Sequence, residues 1–131
     1  MSKARSPINK NIETAVSELL DSKAESRMYI YLLRKNGARS DDIIRGTKLH
    51  PSTVRELLSK MYENKLIFRE KIQTDTIGKN PYLYGAISPI LLLQRRVKII
   101  ESRLNTIANL AGKTNGSKYV QIRIDHQGDE P

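Results

Sequence analysis

The sequence contains no cysteine and only two histidines, His50 and His126. Without cysteine, a disulfide framework and a thiolate zinc site are both excluded, so stability must come from side-chain packing. The two histidines lie in unlike contexts, and we expect no metal site. Phosphate-binding glycine loops, HExxH helices and nucleophile elbows are also missing. We therefore expect no catalytic residues and no cofactor, and the chain is not predicted to be an enzyme.

Long apolar runs are missing as well. No stretch approaches the ~18 apolar residues that a membrane-spanning helix needs, and residues 1–10 are polar and basic, unlike a signal peptide. We expect a soluble, cytoplasmic protein with no membrane partner. The 131 residues show no internal repeat and provide for one compact domain with one extended element, but not for two full domains.

Acidic residues are the minority: 14 stand against 23 lysines and arginines, a formal net charge of +9. Such an excess favours a polyanionic partner, because neutralised phosphates release their counterions. Ordinary solvated surface is the alternative. Charges balance over residues 11–47, and the surplus lies in three other places. These hold Lys3, Arg5 and Lys10; then Lys48, Arg55, Lys60, Lys65, Arg69, Lys71 and Lys79; and finally Arg95, Arg96 and Lys98.

Residues 11–63 carry four helix patterns. The first covers 11–20, and the second starts with a capping box over 22–25 and ends at Asn36, with Gly37 placed for a left-handed cap. Ser40 is suited to cap a short helix from Asp41, and residues 46–49 supply a turn. Pro51 then begins a helix to residue 63, whose apolar face is Val54, Leu57, Leu58 and Met61.

Two strand-like segments, 66–73 and 82–87, follow on either side of a turn-rich stretch over 74–81. Helix, turn, helix and hairpin in this order predict a winged helix-turn-helix. The fold class is mainly α with a small β-hairpin wing (α+β), followed by a long C-terminal helix. The second helix of such a motif fits the major groove of DNA, and a basic loop beside it can reach phosphates or the minor groove.

The segment 90–111 has apolar residues spaced alternately three and four apart, the pattern of a coiled-coil seam. The seam residues are Ile90, Leu93, Val97, Ile100, Leu104, Ile107 and Ala111. Such a seam needs a partner helix, and we expect a homodimer. The alternative is that Leu91, Leu92 and Ile99 let the helix pack wholly on its own domain.

The chain therefore divides into a basic arm over 1–10, the winged helix-turn-helix over 11–88, the dimerisation helix over 89–112 and a remainder over 113–131. In that remainder a turn precedes a short alternating strand, Lys118 to Ile124, and the acidic end from Asp125 is expected to be disordered. The strand could extend the wing sheet or pair with its counterpart in a second subunit.

Residues from Ser22 to about Arg103 follow the order of a known family. The matching residues are Glu25, Tyr29, Leu32 and Leu33; Asp42, Ile43 and Ile44; His50 to Val54; Leu57 and Leu58; Lys65 to Ile67; and Gly78 to Pro81 with Tyr84 and Ala86. In these the chain resembles the winged-helix domains of the archaeal TrmB-like regulators, within the wider MarR and ArsR group. The resemblance implies a prokaryotic, archaeal transcriptional regulator. The family's large sugar-binding C-terminal domain has no room here, so no small-molecule effector is expected, and His50 stands where a Ser or Asn cap is usual.

We expect a homodimeric regulator that binds duplex DNA at a specific sequence. The predicted DNA-binding residues are Lys48, His50, Ser52, Thr53, Arg55, Glu56, Ser59, Lys60, Lys79 and Asn80. Arg55 is expected to read a base, Lys48 and Lys79 to contact phosphates, and the arm from Ser2 to Lys10 to lie along the backbone or in a minor groove. Two alternatives stay open: an architectural protein that coats DNA, and a winged-helix module that binds another protein.

Overall fold

The computed structural model describes residues 10–72, 82–111 and 119–125. Its elements in chain order are α1 (Lys10–Ser17), α2 (Lys23–Lys35), α3 (Ser40–Thr47), α4 (Pro51–Glu63), β1 (Ile67–Lys71), β2 (Tyr82–Ala86), α5 (Pro89–Ala108) and a final 3-10 turn (Asn109–Ala111). The chain forms two compact units, Met1–Ser88 and Pro89–Pro131. Among the residues described, no helix is both long and apolar enough to cross a membrane.

Helix α2 begins and ends with local hydrogen bonds that the sequence largely predicts. The Ser22 hydroxyl accepts a hydrogen bond from the backbone N–H of Glu25 at 3.1 Å, which confirms the serine half of the predicted capping box. The Glu25 carboxylate pairs instead with the ammonium of Lys60. At the other end the left-handed cap is Asn36, with φ 59°, and not Gly37 as predicted. Gly37 also has a positive φ, 114°, one residue later. Asparagine tolerates this conformation because its short polar side chain can bond locally.

The predicted bounds of α3 are wrong at both ends. Ser40 is the first residue of the helix and is buried, and Arg39 is the capping residue. The cap works through Asp42, whose carboxylate accepts a hydrogen bond from the Arg39 backbone N–H at 3.3 Å. The helix also continues through Gly46 to Thr47, so the predicted turn at 46–49 starts too early. The Tyr31 ring occupies the space where a Cβ of residue 46 would lie, so glycine is the residue that fits at this point of the helix.

The core of the first unit lies where α2, α3 and α4 meet the hairpin. The predicted apolar face of α4 is confirmed, since Val54, Leu58 and Met61 are buried and Leu57 is half-buried. The other buried side chains of this core include Met28, Tyr29, Leu32, Ile43, Ile67 and Tyr84. The Tyr29 hydroxyl donates a hydrogen bond to the carbonyl of Ile87 at 2.7 Å, which ties α2 to the chain just after β2.

Burial of Tyr29 makes the stability of the protein sensitive to high pH. Desolvation raises the pKa of this phenol from 10.0 to about 12. Between these two values the unfolded chain ionises while the folded chain keeps its proton, so the contribution is present below pH 10 and is lost as the pH rises. We expect Tyr29→Phe to remove about 1.4 kcal/mol of the stability loss between pH 9 and pH 11. Urea unfolding at both pH values measures this, with Tyr119→Phe, an exposed tyrosine, as the matched control. Equal pH dependence in wild type and Tyr29→Phe would contradict the prediction.

The hairpin confirms the predicted strands. β1 and β2 are antiparallel, with Ile67 opposite Ala86 and Lys71 opposite Tyr82. Ala38 adds a short bridge, since its N–H donates to the Tyr84 carbonyl at 3.0 Å and its carbonyl accepts from the Tyr84 N–H at 2.8 Å. The predicted turn-rich stretch over 74–81 lies outside the described residues. The bonds between Ala38 and Tyr84 connect the hairpin to the chain just after α2.

The second unit contains α5 and residues 119–125. The predicted long helix is confirmed, whereas the predicted strand from Lys118 to Ile124 is wrong over its described part, 119–124, which has no strand. Side chains of α5 replace a neighbouring strand there. The Asn105 amide accepts from the Val120 N–H at 2.6 Å and donates to the Val120 carbonyl at 3.1 Å, and Glu101 accepts from the Ile122 N–H at 2.7 Å. These bonds satisfy backbone groups that a strand would have paired with another strand.

Candidate nucleic-acid interface

Helix α4 presents one polar face to solvent. Ser52, Arg55, Glu56 and Ser59 are exposed, while Val54 and its apolar neighbours lie buried on the opposite side. Residues three and four apart share a face of an α-helix, so these four polar side chains form one continuous stripe. They can offer a guanidinium, a carboxylate and two hydroxyls to base edges, which are the donor and acceptor groups that major-groove readers use.

The start of α4 is fixed by the imidazole of His50. Its Nδ1 accepts a hydrogen bond from the backbone N–H of Ser52 at 3.2 Å and lies 2.9 Å from the Ser52 hydroxyl oxygen. His50 thus takes the place of the usual serine or asparagine cap, and Pro51 occupies the first helical position as predicted. Lys48 precedes this cap in a left-handed conformation, φ 61°, with its side chain exposed. Thr53 is half-buried.

The His50 cap has a measurable effect on stability. His50→Ala removes the acceptor for the Ser52 N–H, and we expect it to lower the free energy of unfolding by about 1 kcal/mol. His50→Asn supplies a side-chain acceptor at the same position and is expected to keep most of that stability. Urea unfolding of the two variants beside the wild type tests this. If His50→Ala has the same free energy of unfolding as wild type, the imidazole does not stabilise the helix as a cap.

Lys60 has partners within the protein. Its ammonium lies 2.8 Å from the carboxylate of Glu25, which is buried, and 3.1 Å from that of Asp21. Hydrogen bonds to Glu25 and Asp21 raise the pKa of this ammonium. Because removing a partner from a buried carboxylate is costly, Lys60 is held towards α2. The structure thus gives this predicted DNA contact a role in fixing α4 on its neighbour.

Arg69 of β1 contacts the end of α4, which its charge alone did not predict from the sequence. The carbon at the centre of its guanidinium lies 4.0 Å from the centre of the Tyr62 ring and 4.2 Å from that of the Tyr82 ring. Tyr62 comes from the last turn of α4 and Tyr82 from the first residue of β2. Attraction between a cation and both ring faces therefore joins the end of α4 to the hairpin.

Comparison with known proteins agrees with this geometry. A family model described as the sugar-specific transcriptional regulator TrmB matches residues 22–90, which is more than half of the chain. The chain belongs to the TrmB family. A structure of a possible transcriptional regulator from Methanosarcina mazei Go1 shares 21% identity at a TM-score of 0.61, covering 86% of this chain and 100% of that one. At this identity the likeness shows the fold, a winged helix, which confirms the predicted fold class.

More distant structures have TM-scores below 0.5. MepR, a regulator of a Staphylococcus aureus multidrug efflux pump, is 16% identical at a TM-score of 0.46, covering 81% of this chain and 76% of its own. NadR in complex with 4-hydroxyphenylacetate is 14% identical at a TM-score of 0.49, covering 86% of this chain and 85% of its own. No curated protein is similar enough to count as a match. The TrmB-family member described here is a transcriptional regulator of the winged-helix type, and its family and fold are those of regulators and not of enzymes.

Most of the predicted DNA-binding residues of this TrmB-family protein lie in the segment 48–59, which comprises the residues just before α4 and the first part of that helix. Lys79 and Asn80 lie outside the described residues, as does the arm up to residue 9. The sequence did not predict the contact between Tyr62 and Arg69, because these residues belong to separate elements. Within the described part of the chain, no group of His, Cys, Asp or Glu is arranged to hold a metal ion.

The predicted seam of α5 is largely uncovered in the single chain. Val97 is half-buried, and the side chain of Ala111 lies outside the described residues. The seam residues that remain exposed are Ile90, Leu93, Ile100, Leu104 and Ile107. Next to the seam, a groove of about 570 Å³ lies between α5 and residues 119–124 and includes Val97 in its lining. These exposed side chains form an apolar stripe along α5 that is available to pack against another helix.

Proposed function

We propose that this TrmB-family regulator binds duplex DNA at a specific sequence, as a homodimer, with α4 in the major groove and the wing on the backbone or in the minor groove. The observation that carries the proposal is the exposed polar stripe of α4, which lies opposite a fully packed apolar face. A helix presented in this way fits the width of the major groove. The net charge of +9 supplies attraction to phosphate.

Within this interface each side chain has a distinct role. Arg55 reads guanine, because its fork can donate to two acceptors on that base, and Glu56 accepts from the amino group of cytosine. The hydroxyls of Ser52, Thr53 and Ser59 complete the base contacts, while Lys48 binds a phosphate. His50 holds the start of the helix against the DNA backbone. Lys60 is not assigned a DNA contact, because it would have to leave Glu25.

Three predicted contacts beyond the described residues remain part of the proposal. Lys79 and Asn80 would contact the backbone from the wing, and the basic arm from Ser2 would follow the backbone or enter a minor groove. Positive charge supports Lys79 and the arm, and Asn80 is included as the neighbour of Lys79 in the sequence. The place of action is then the nucleoid in the cytoplasm, and the proposal includes no small-molecule effector.

Helix α5 supplies the dimer. Its exposed seam residues would pack against the seam of a second copy and remove apolar surface from water. Asn105 and Glu101 keep residues 119–125 beside the seam through backbone hydrogen bonds. Two copies related by a twofold axis then present two α4 helices to inverted half-sites.

A fluorescence anisotropy titration tests the proposal. Duplexes selected by the protein from a random pool are compared with scrambled duplexes, each at two salt concentrations. Sequence-specific binding predicts an affinity ratio of about 10³ or more, whereas an architectural role predicts nearly equal affinities with strong salt dependence. No binding to either duplex at low salt would reject DNA binding and favour a protein-interaction module.

A further inference from the structure

The guanidinium of Arg69 contacts the rings of two tyrosines, Tyr62 and Tyr82. Arg69 is exposed, and none of the ion pairs found among the described residues involves it. Glu70, its neighbour in sequence, points to the opposite face of the hairpin, since successive side chains of a strand alternate. The guanidinium carbon lies 4.0 Å and 4.2 Å from the centres of the two rings, and the N–H groups of an arginine can still donate from this position to an anion.

Stacking prepares this group for a phosphate. An arginine donates from a planar fork that matches two oxygens of one phosphate, and a flat guanidinium held between two rings loses little freedom on binding. A lysine at the same place would carry the charge without the fork. The arrangement therefore suits a phosphodiester better than a single negative point charge.

The position of Tyr62 places this group at the end of the proposed reading face. Arg55, Ser59 and Tyr62 are spaced by four and three residues, so they lie along one stripe of α4. Arg69 lies over the ring of Tyr62 and thus continues that stripe onto the hairpin. Lys71, two residues further on in β1, lies on the same face of the hairpin and adds positive charge.

We propose that Arg69, held between Tyr62 and Tyr82, is a binding site for a phosphodiester of the DNA backbone at the C-terminal end of α4. The site rests on the proposed DNA-binding function and adds to it a contact that sets the depth and tilt of the helix in the groove. Such a contact fixes the protein on the duplex without reading a base.

Three variants separate this role from a purely structural link between α4 and the hairpin. Arg69→Met keeps a flexible apolar side chain between the rings and removes the charge. Arg69→Lys keeps the charge and removes the fork. Arg123→Met removes an exposed arginine of the second unit and is the matched control for net charge. Affinity is measured over a salt series for a selected and a scrambled duplex, with a urea unfolding curve for each variant.

The expected result is a change in salt dependence that is equal for both duplexes. Arg69→Met should lower the slope of log affinity against log salt by about 0.9 and the affinity by roughly eightfold at 0.1 M salt. Arg69→Lys should keep the slope and bind more weakly than wild type, and Arg123→Met should match wild type. If Arg69→Met keeps the wild-type slope and affinity, Arg69 is only a link within the protein. A wild type that binds neither duplex would reject the underlying function and this site together.

Discussion

Replacing Val97 by aspartate is expected to convert the proposed homodimer into monomers. Val97 lies at the middle of the α5 seam, where pairing with a second helix would bury the new carboxylate without a partner. Such burial costs about 4 kcal/mol, equivalent to a rise of about 10³ in the dimer dissociation constant. Analytical ultracentrifugation at micromolar concentration measures the change. A wild-type monomer at this concentration, or a dimeric Val97→Asp protein, would reject the coiled-coil dimer.

Two further variants make this test specific to the seam. Val97 also lines the groove beside residues 119–124, so its substitution could act through that segment. Leu104 is 39% exposed and does not line the groove, and Leu104→Asp is expected to dissociate the dimer in the same way. Ser102, which is exposed and lies off the seam, provides the control Ser102→Asp, expected to remain dimeric.

Loss of the dimer should also weaken DNA binding in a defined way. Two α4 helices on one twofold axis read inverted half-sites about one helical turn, ~34 Å, apart. Binding of the first half-site raises the effective concentration of the second, so a palindromic duplex binds more tightly than a half-site duplex. Val97→Asp should bind both duplexes with similar affinity. If wild type already binds both equally, dimerisation does not set how the protein reads DNA.

Local signals in the sequence were sufficient to predict most of the helices and strands of the first unit. The apolar spacing of Val54, Leu58 and Met61 predicted which face of α4 is buried, and Pro51 predicted where that helix begins. Both signals act within one or two helical turns. The cap of α3 was misplaced by one residue because Ser40 is a common capping residue, whereas the structure uses the Asp42 carboxylate and buries Ser40.

Contacts between distant residues were not visible in the sequence. Lys60 reads as part of a basic outer face, yet a buried Glu25 from another helix holds its ammonium. In the sequence Arg69 cannot be distinguished from other surface charges, whereas the structure shows its contacts with Tyr62 and Tyr82. The strand predicted from Lys118 failed for the same reason, because Asn105 and Glu101 supply the hydrogen bonds that alternation assigns to a partner strand.

The sequence preference of the protein is expected to depend on Arg55. Its side chain is exposed on the polar stripe of α4, one turn after the His50 cap, and two hydrogen bonds to guanine discriminate by about 1 to 3 kcal/mol. Arg55→Ala should therefore reduce the affinity for the selected duplex by about 5- to 150-fold more than the affinity for a scrambled one. Anisotropy titration of both duplexes measures this difference.

Lys79 supplies the matched control, because a phosphate contact carries no base information. Lys79→Ala removes the same charge and should weaken both duplexes equally, with a salt slope lower by about 0.9. Arg55→Lys keeps the charge of Arg55 but not its fork, so it should lose preference nearly as Arg55→Ala does while keeping more of the affinity for the scrambled duplex. If Arg55→Ala weakens both duplexes alike, Arg55 binds a phosphate, and the base reader must be another residue of the stripe formed by Ser52, Glu56 and Ser59.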